Sequence, residues 1–274
     1  MVEIDKNTVV VFSSEELKNV LEQSATYSYI YLGQDITLEE GIVISSNKPY
    51  VIIDGTYLGT TYAYTVNNTD ADFCIKANVN SAKVTVRNLK VVSSNAYGIV
   101  CCPSSSDYQD VVIEYANVRY NGVEFAYHPY GKVRVIDCIV TIEETLGVTP
   151  EEAIEGRYIE VGGDTTITNN SADFALFTYR SNVTKPSFTA LPNSRVILTS
   201  DSKEFMQGTN RLFFTISHSA DVVLTTGNGF ASYTVHGVQN ATIEKHARFT
   251  FIEKSHLRIP MWTIYGSLTV EERS

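Results

Sequence analysis

Residues Phe214–Leu224 read FTISHSADVVL. Ser217, His218, Ser219 and Asp221 stand within five positions, and Ser, His and Asp are the groups of a nucleophilic triad. The stretch has a second reading. Phe214-Thr215 is followed by Val222 and Leu224, at +8 and +10. Phe188-Thr189 is followed by Val196 and Leu198, and Tyr233-Thr234 by Ala241 and Ile243, at the same offsets. Phe125 keeps the spacing with Val133 and Val135. A fixed offset that survives changes in the residues between marks a repeating structure. The intervening residues are Ala190-Leu191-Pro192-Asn193 in one unit and His236-Gly237-Val238-Gln239 in another, so the corner chemistry varies while the spacing holds. Ser, Asn, Gly and Asp are residues that turns favour for their own geometry. His218 therefore reads as a corner residue.

Alternating apolar pairs continue the pattern along the chain, from Val51/Ile53 through Val84/Val86, Val111/Ile113, Val133/Val135 and Thr165/Ile167 to Leu268/Val270. Their mean separation is about 27 residues, with steps from about 19 to about 33. A β-solenoid coil tolerates such variation because the extra residues fall in loops outside the stacked strands. An antiparallel sandwich with a hairpin at Gly227-Asn228-Gly229 is the competing arrangement, but it does not account for the fixed register.

The ends and one interruption carry local signals. Ser13-Ser14-Glu15-Glu16 is a capping box, and Leu17, Val20 and Leu21 give the helix that follows an apolar face. Residues 1–24 thus predict a cap strand and helix covering the first coil. Thr149-Pro150 with Gly156 predicts a second short helix in a side excursion over residues 145–160. At the other end, Leu268–Arg273 predicts a bare final strand, and Phe249, Phe251, Trp262 and Ile264 place apolar groups nearby. This tip is expected to meet another subunit or a further domain. The whole chain, 1–274, is expected to be one domain.

Composition excludes several classes. Hydrophobic residues make up 43%, and the net charge is −10. Sparse, scattered basic residues leave no footprint for nucleic acid. No segment has eighteen consecutive apolar residues, so membrane insertion is not expected. The N-terminus MVEIDKNTVVVF lacks the pattern of a secretory signal, so a surface location implies that one was removed. The four cysteines Cys74, Cys101, Cys102 and Cys138 show no zinc spacing and read as buried thiols, which disfavours an oxidising compartment.

The runs VVVFSSEELKNVLEQS (9–24), YIYLGQDITL (29–38) and YVIIDGTYLG (50–59) resemble the start of right-handed parallel β-helix proteins. SFTALPNSRVILTS (187–200) and FFTISHSADVVLTTGNG (213–229) resemble repeats of the pectate lyase-like adhesive domain of bacterial surface proteins. The corners Asn193-Ser194, Ser219-Ala220 and Val238-Gln239 depart from the small Gly-Ala corner of that family. The resemblance implies an all-β, right-handed parallel β-helix and an adhesive or structural role. It also raises enzymatic relatives. A pectate lyase would need acidic calcium ligands and an arginine base. Arg258-Ile259-Pro260 echoes the arginine string but lacks its second arginine. A polygalacturonase would draw on Asn68-Thr69-Asp70, Gly162-Gly163-Asp164 and His236-Gly237. These lie about three repeats apart, on the order of 13 Å along the rod, too far for one acid/base pair. No catalytic residue, cofactor or metal is expected. Asp70, Asp72, Asp107 and Asp110 read as solvated charges, and calcium is unsupported.

A binding surface is the better candidate. The chain has 17 tyrosines. Arg119–Tyr130 gathers rings, hydrogen-bonding groups and an acid, and Tyr120, Asn121, Glu124, Tyr127, His128 and Tyr130 are the candidate ligand-binding residues. Rings suit the apolar faces of sugars and polar groups their edges. The expected partner is a glycan or a protein surface. A virion structural or receptor-binding protein is the alternative, and a polysaccharide lyase or hydrolase a further one.

Overall fold

Short runs of Val, Ile, Phe and Thr set two side chains in and one out, and the chain closes them into coils. The structure is a computed structural model. It describes residues 1–70, 73–202, 205–208, 211–226, 235–253 and 262–271, with the backbone alone at 235–236, 253 and 262–266. It is an all-β parallel β-helix with a short N-terminal capping helix. Each coil passes through three faces. Strands stack in parallel register from coil to coil, and among the described residues only two strand pairs are antiparallel. Val196–Leu198 and Val222–Leu224, the pair that would separate a solenoid from a sandwich, run parallel.

On the first face Ile53 stacks on Val86, Val86 on Tyr115, Tyr115 on Val135 and Val135 on Val161. The same column continues through Ala190, Ile216 and Ile243 to Val270. The second face stacks Thr165/Ile167 on Val196/Leu198 and on Val222/Leu224. The series of pairs read from the sequence therefore crosses between two faces. It leaves the first face after Val133/Val135 and returns to it at Ala241/Ile243. Val111/Ile113 is displaced by two, because Val84/Val86 stacks on Ile113/Tyr115. Phe188 and Phe214 do share one register, at +8 and +10 from second-face pairs. Ala241 instead occupies Phe214's own column, so the Tyr233 unit is out of step, and Tyr233 itself lies outside the described residues. The repeat length survives these slips because both faces belong to every coil.

The corner between the first two faces needs a left-handed residue. Asn88, Asn117 and Asp137 take φ of 52°, 54° and 55° there. Asn and Asp tolerate this conformation because their short polar chains bond locally. Asn117 Nδ2 donates to Asn88 Oδ1 at 2.9 Å, linking two coils. The next coil uses Gly163 at φ 63°, where a Cβ would lie 2.0 Å from Asp137 Oδ1. Gly162-Gly163-Asp164 is thus a corner. Later coils widen the turn and place Asn193, Ser219 and His246 at φ of 56°, 57° and 62°.

The N-terminal helix spans Ser14–Glu22, with Ser13 as its cap. Ser13 Oγ accepts from Glu16 N at 3.1 Å, and Glu16 Oε2 accepts from Phe12 N at 2.8 Å. Leu17, Val20 and Leu21 are buried against the strands Ile36–Leu38 and Ile42–Val43. A strand at Val2–Asp5 also folds back antiparallel on Thr8–Val11, so the cap holds two strands and a helix. The second predicted helix does not form. Residues 143–153 leave the coil as a loop with a Thr145–Val148 bridge, and Ile154–Gly162 is a strand. Its Pro, N-cap and Gly signals are local, whereas pairing Ile154 with Ala126 and Gly156 with His128 continues the ladder. Tertiary pairing outweighs a propensity worth a few tenths of a kcal/mol per residue. At the far end Phe249 and Phe251 pack half-buried against the core, while Leu268 and Val270 of the last strand are exposed. The side chains of Trp262 and Ile264 lie outside the described set.

The cysteine reading requires a correction. Cys74 and Cys101 form a disulfide, 27 residues apart with Cα atoms at 6.4 Å. That separation is one coil, so stacking brings the two residues together. Cys102 and Cys138 are buried free thiols. Burial raises both thiol pKa values, Cys138 to about 12, so neither is poised as a nucleophile.

Candidate ligand-binding surface

The six candidates fall on both sides of the coil wall. The strand Val112–Gly122 crosses from the first face to the second, and Ala126–Ile136 runs along the third face and on into the next coil's first. Alternation along Ala126–His128 turns Tyr127 outward and His128 inward. His128 is fully buried, with Nε2 bonded to Val111 O at 2.8 Å. Burial lowers its pKa to about 4, so it is neutral and structural at pH 7. A Cβ on Gly131 would lie 1.9 Å from that Nε2, so the glycine is required by the histidine. Tyr120 and Glu124 are also buried, and the Tyr120 hydroxyl donates to the Glu124 carbonyl. As ligand contacts, Tyr120, Glu124 and His128 are therefore misplaced: they face the interior. Asn121 is half-buried and donates to Glu143 Oε1 at 2.6 Å. Tyr127 and Tyr130 reach the surface.

Around those two tyrosines the third face assembles a patch from several coils. Its outward row runs from Lys76 to Cys101, Tyr127, Glu155 and Thr178, each on the next rung. The Tyr97 ring meets the Tyr127 ring edge-on at 4.9 Å. Arg180 Nη2 donates to the Tyr127 hydroxyl at 2.7 Å, and its Nε donates to Glu155 Oε1 at 2.5 Å. Asn182 Nδ2 donates to the Tyr130 hydroxyl at 2.8 Å. Beside the ring pair is a small cavity of about 160 Å³, lined by Lys76, Tyr97, Cys101, Pro103, Ser104 and Tyr127. The bridge at Cys101 thus holds one wall of it. Tyr97, Glu155, Arg180 and Asn182 were not singled out from the sequence. Arg180 is 53 residues from Tyr127, about two repeats, and repeat length is the signal that links them.

Beneath the patch lie carboxyl groups. Burial pushes Glu155 up from its ordinary value, and Arg180 pulls the other way. Burial raises Glu152 to about 7, with Glu155 and Glu151 adding to the effect. Glu124 is driven well above the carboxylate range by burial, and its Oε1 finds no hydrogen-bond partner among the described residues.

Ser217 is buried while His218 is exposed at the corner, its ring 5.4 Å from His246. The His218 amide donates to Glu244 Oε2 at 2.8 Å. Arg258, Asp72 and the Gly227–Gly229 turn lie outside the described residues, as does the side chain of His236. Among the described residues no group of three His, Cys, Asp or Glu side chains is placed to hold a metal ion.

Residues 8–127 match the pectate lyase-like adhesive domain. The resemblance read from the sequence is thereby shown over that part of the chain. No curated protein matches. Two solved structures share the fold. L. reuteri 53608 SRRP has a TM-score of 0.57 at 16% identity, covering 96% of this chain and 99% of that one. A second SRRP, from strain 100-23, has a TM-score of 0.57 at 14% identity and covers 96% and 100%. At such identity the likeness is one of fold. Among the described residues no helix is long and apolar enough to cross a membrane.

Proposed function

We propose that the chain is a non-catalytic adhesive module of a cell surface, binding glycan through the third-face patch. The carrying observation is the Tyr97–Tyr127 pair held by Arg180 and Glu155 beside a small cavity. Rings offer stacking surface to the apolar face of a pyranose, and Arg180, Asn182 and Ser104 offer partners to its hydroxyls. The Arg180–Glu155 pair cancels its own charge and stiffens the platform, which lowers the ordering cost of binding. The adhesive-domain match and the serine-rich repeat protein folds favour the surface reading over a virion one. So does the Cys74–Cys101 bridge, since disulfides persist in oxidising compartments.

A glycan array probed with the full chain tests this reading. Tyr127→Ala and Arg180→Ala should each weaken the leading signal about tenfold, the usual cost of an interface anchor. A signal unchanged by both variants, or no signal on any glycan, refutes it. One observation favours a hydrolase: Glu152, with its raised pKa, has the protonation a general acid needs. Yet it is buried, 9% exposed. Incubation with polygalacturonate and calcium should yield neither unsaturated product nor reducing ends. Turnover abolished by Glu152→Gln would overturn the non-catalytic reading.

A further inference from the structure

The longest first-face step, Ile53 to Val86, carries extra chain that the coil does not need. Asp54 pairs with Arg87 and Ala63 with Lys90. Residues 55–62 therefore occupy a corner that the next coil turns with Asn88 and Leu89 alone. The surplus is a small hairpin, with Thr56–Tyr57 antiparallel to Thr60–Thr61. Leu58 and Gly59 make its turn at φ of 50° and 81°. It adds no core: Leu58 is 86% exposed, and Thr60 and Thr61 are exposed too. What it does is carry Tyr57 back over the outer surface of the first face.

There Tyr57 meets a ring row. Tyr29 and Tyr31 have centroids 4.8 Å apart at an interplanar angle of 41°, and Tyr31 and Tyr57 are 5.7 Å apart at 48°. Together with Asp5, Thr8 and Thr56 they line a trough of about 400 Å³. Its base is fixed by Asp54, which is buried. Asp54 accepts from the Tyr29 hydroxyl at 2.8 Å, Arg87 Nε at 2.8 Å, Asn88 Nδ2 at 3.0 Å and Thr56 N at 3.0 Å. One carboxylate thus ties the hairpin base, the floor ring and the next coil together. A hairpin that adds nothing to the core yet is anchored this firmly is a wall.

We propose that this trough is a second carbohydrate site, specific for neutral hexopyranosides. Half-buried rings at stacking distance suit the apolar face of a pyranose. At its edge the Asp5 carboxylate, which accepts from Asn7 N at 2.8 Å, and the Thr56 hydroxyl, paired with Thr61 Oγ1 at 2.9 Å, keep lone pairs that suit vicinal hydroxyls. Arg87 offsets the Asp54 charge and lies over the Tyr29 ring at 5.0 Å, which leaves Asp5 as the one charged side chain among those lining the trough. Its negative sign disfavours uronates and sulfated sugars. The site lies on a different face from Tyr127 and does not depend on the adhesive reading of that patch.

The test is saturation-transfer NMR on the full chain carrying Tyr127→Ala, which removes the third-face patch. The probes are methyl β-glucopyranoside, methyl β-galactopyranoside and galacturonate. At least one neutral hexoside should receive saturation, and galacturonate none. Adding Tyr57→Ala should cut the transfer by about fivefold, the loss of one aromatic contact, and Tyr57→Phe should restore it. Tyr57 stands on the hairpin outside the core, so the variant should leave the far-UV spectrum of the coils intact. Absence of transfer from every neutral hexoside overturns the proposal. So does transfer indifferent to Tyr57→Ala, or a preference for galacturonate.

Discussion

Glu152 shows how one side chain ties the excursion loop to pH. Its carboxyl is raised from 4.5 to about 7, mainly by burial. A carboxyl whose folded pKa exceeds its unfolded one binds the proton more tightly when folded. Its stabilising contribution is full below about 4.5 and is lost as pH rises through about 7. His128 works in the opposite sense. Its pKa falls from 6.5 to about 4, so its contribution is full above 6.5 and is lost as pH drops through about 4. Between pH 4.5 and 6.5 the two trends oppose one another, so their combined contribution to thermal stability falls off below 4.5 and above 6.5. Glu152→Gln should lessen the loss on the neutral side, to which Glu124 and Glu155 still contribute, and make the variant more stable at pH 8 by about 2 kcal/mol. Identical pH profiles for the two proteins would show that Glu152 is ionised when folded. The same burial explains what was hidden at this scale. Tyr120, Glu124 and His128 have the composition of a ligand site. Which way a side chain points depends on where one strand stops and the next begins, and Val123–Phe125 gives no local sign of that break.

At the scale of elements, the spacing of repeats carried more than the spacing of motifs. Cys74 and Cys101 are separated by 27 residues, which matches no zinc or redox motif but equals the mean repeat. Coil stacking is what makes them neighbours. The bridge closes a loop of one coil, worth about 3.5 kcal/mol in the loop-entropy account. Denatured without reductant, the chain should titrate two thiols, and four after reduction. Cys101→Ser should lower stability by about that amount. Four thiols before reduction would remove the bridge and with it one support for the surface location. The capping helix was legible because its box and apolar stripe are both local. The Thr149–Gly156 helix was not, because Ile154 is claimed by a ladder whose other members lie a coil away on either side. Likewise the repeat was visible in Phe188 and Phe214, while the assignment of Val, Ile and Thr pairs to a face was not: an alternating strand looks the same on every side of the coil.

For the whole molecule the continuity of the interior is decisive. Buried apolar residues form one cluster from Val9 to Ala241, with Ile243, Phe249 and Phe251 packed against it. Phenylalanines bind the later coils to one another. Phe177 stacks on Phe188 at 5.6 Å, Phe188 on Phe214 at 5.2 Å, and Phe214 meets Phe249 edge-on at 5.7 Å. A solenoid unfolds as one unit when the interfaces between coils outweigh differences among them, and breaks into separate transitions at a weak interface. Among the described residues no gap in the core marks such an interface between Val9 and Ala241. The chain should therefore melt in a single step. Trp262, the one tryptophan, lies in the last described strand, so its emission follows the C-terminal end while far-UV circular dichroism follows the whole. The two curves should coincide. Phe188→Ala should cost about 4 kcal/mol, the usual price of emptying a buried aromatic site. It should shift both curves together by roughly 10 °C, given about 2–4 °C per kcal/mol for a chain of this size. Two midpoints, with only the Trp262 signal moved by Phe188→Ala, would divide the rod into independent units and refute a single cooperative core.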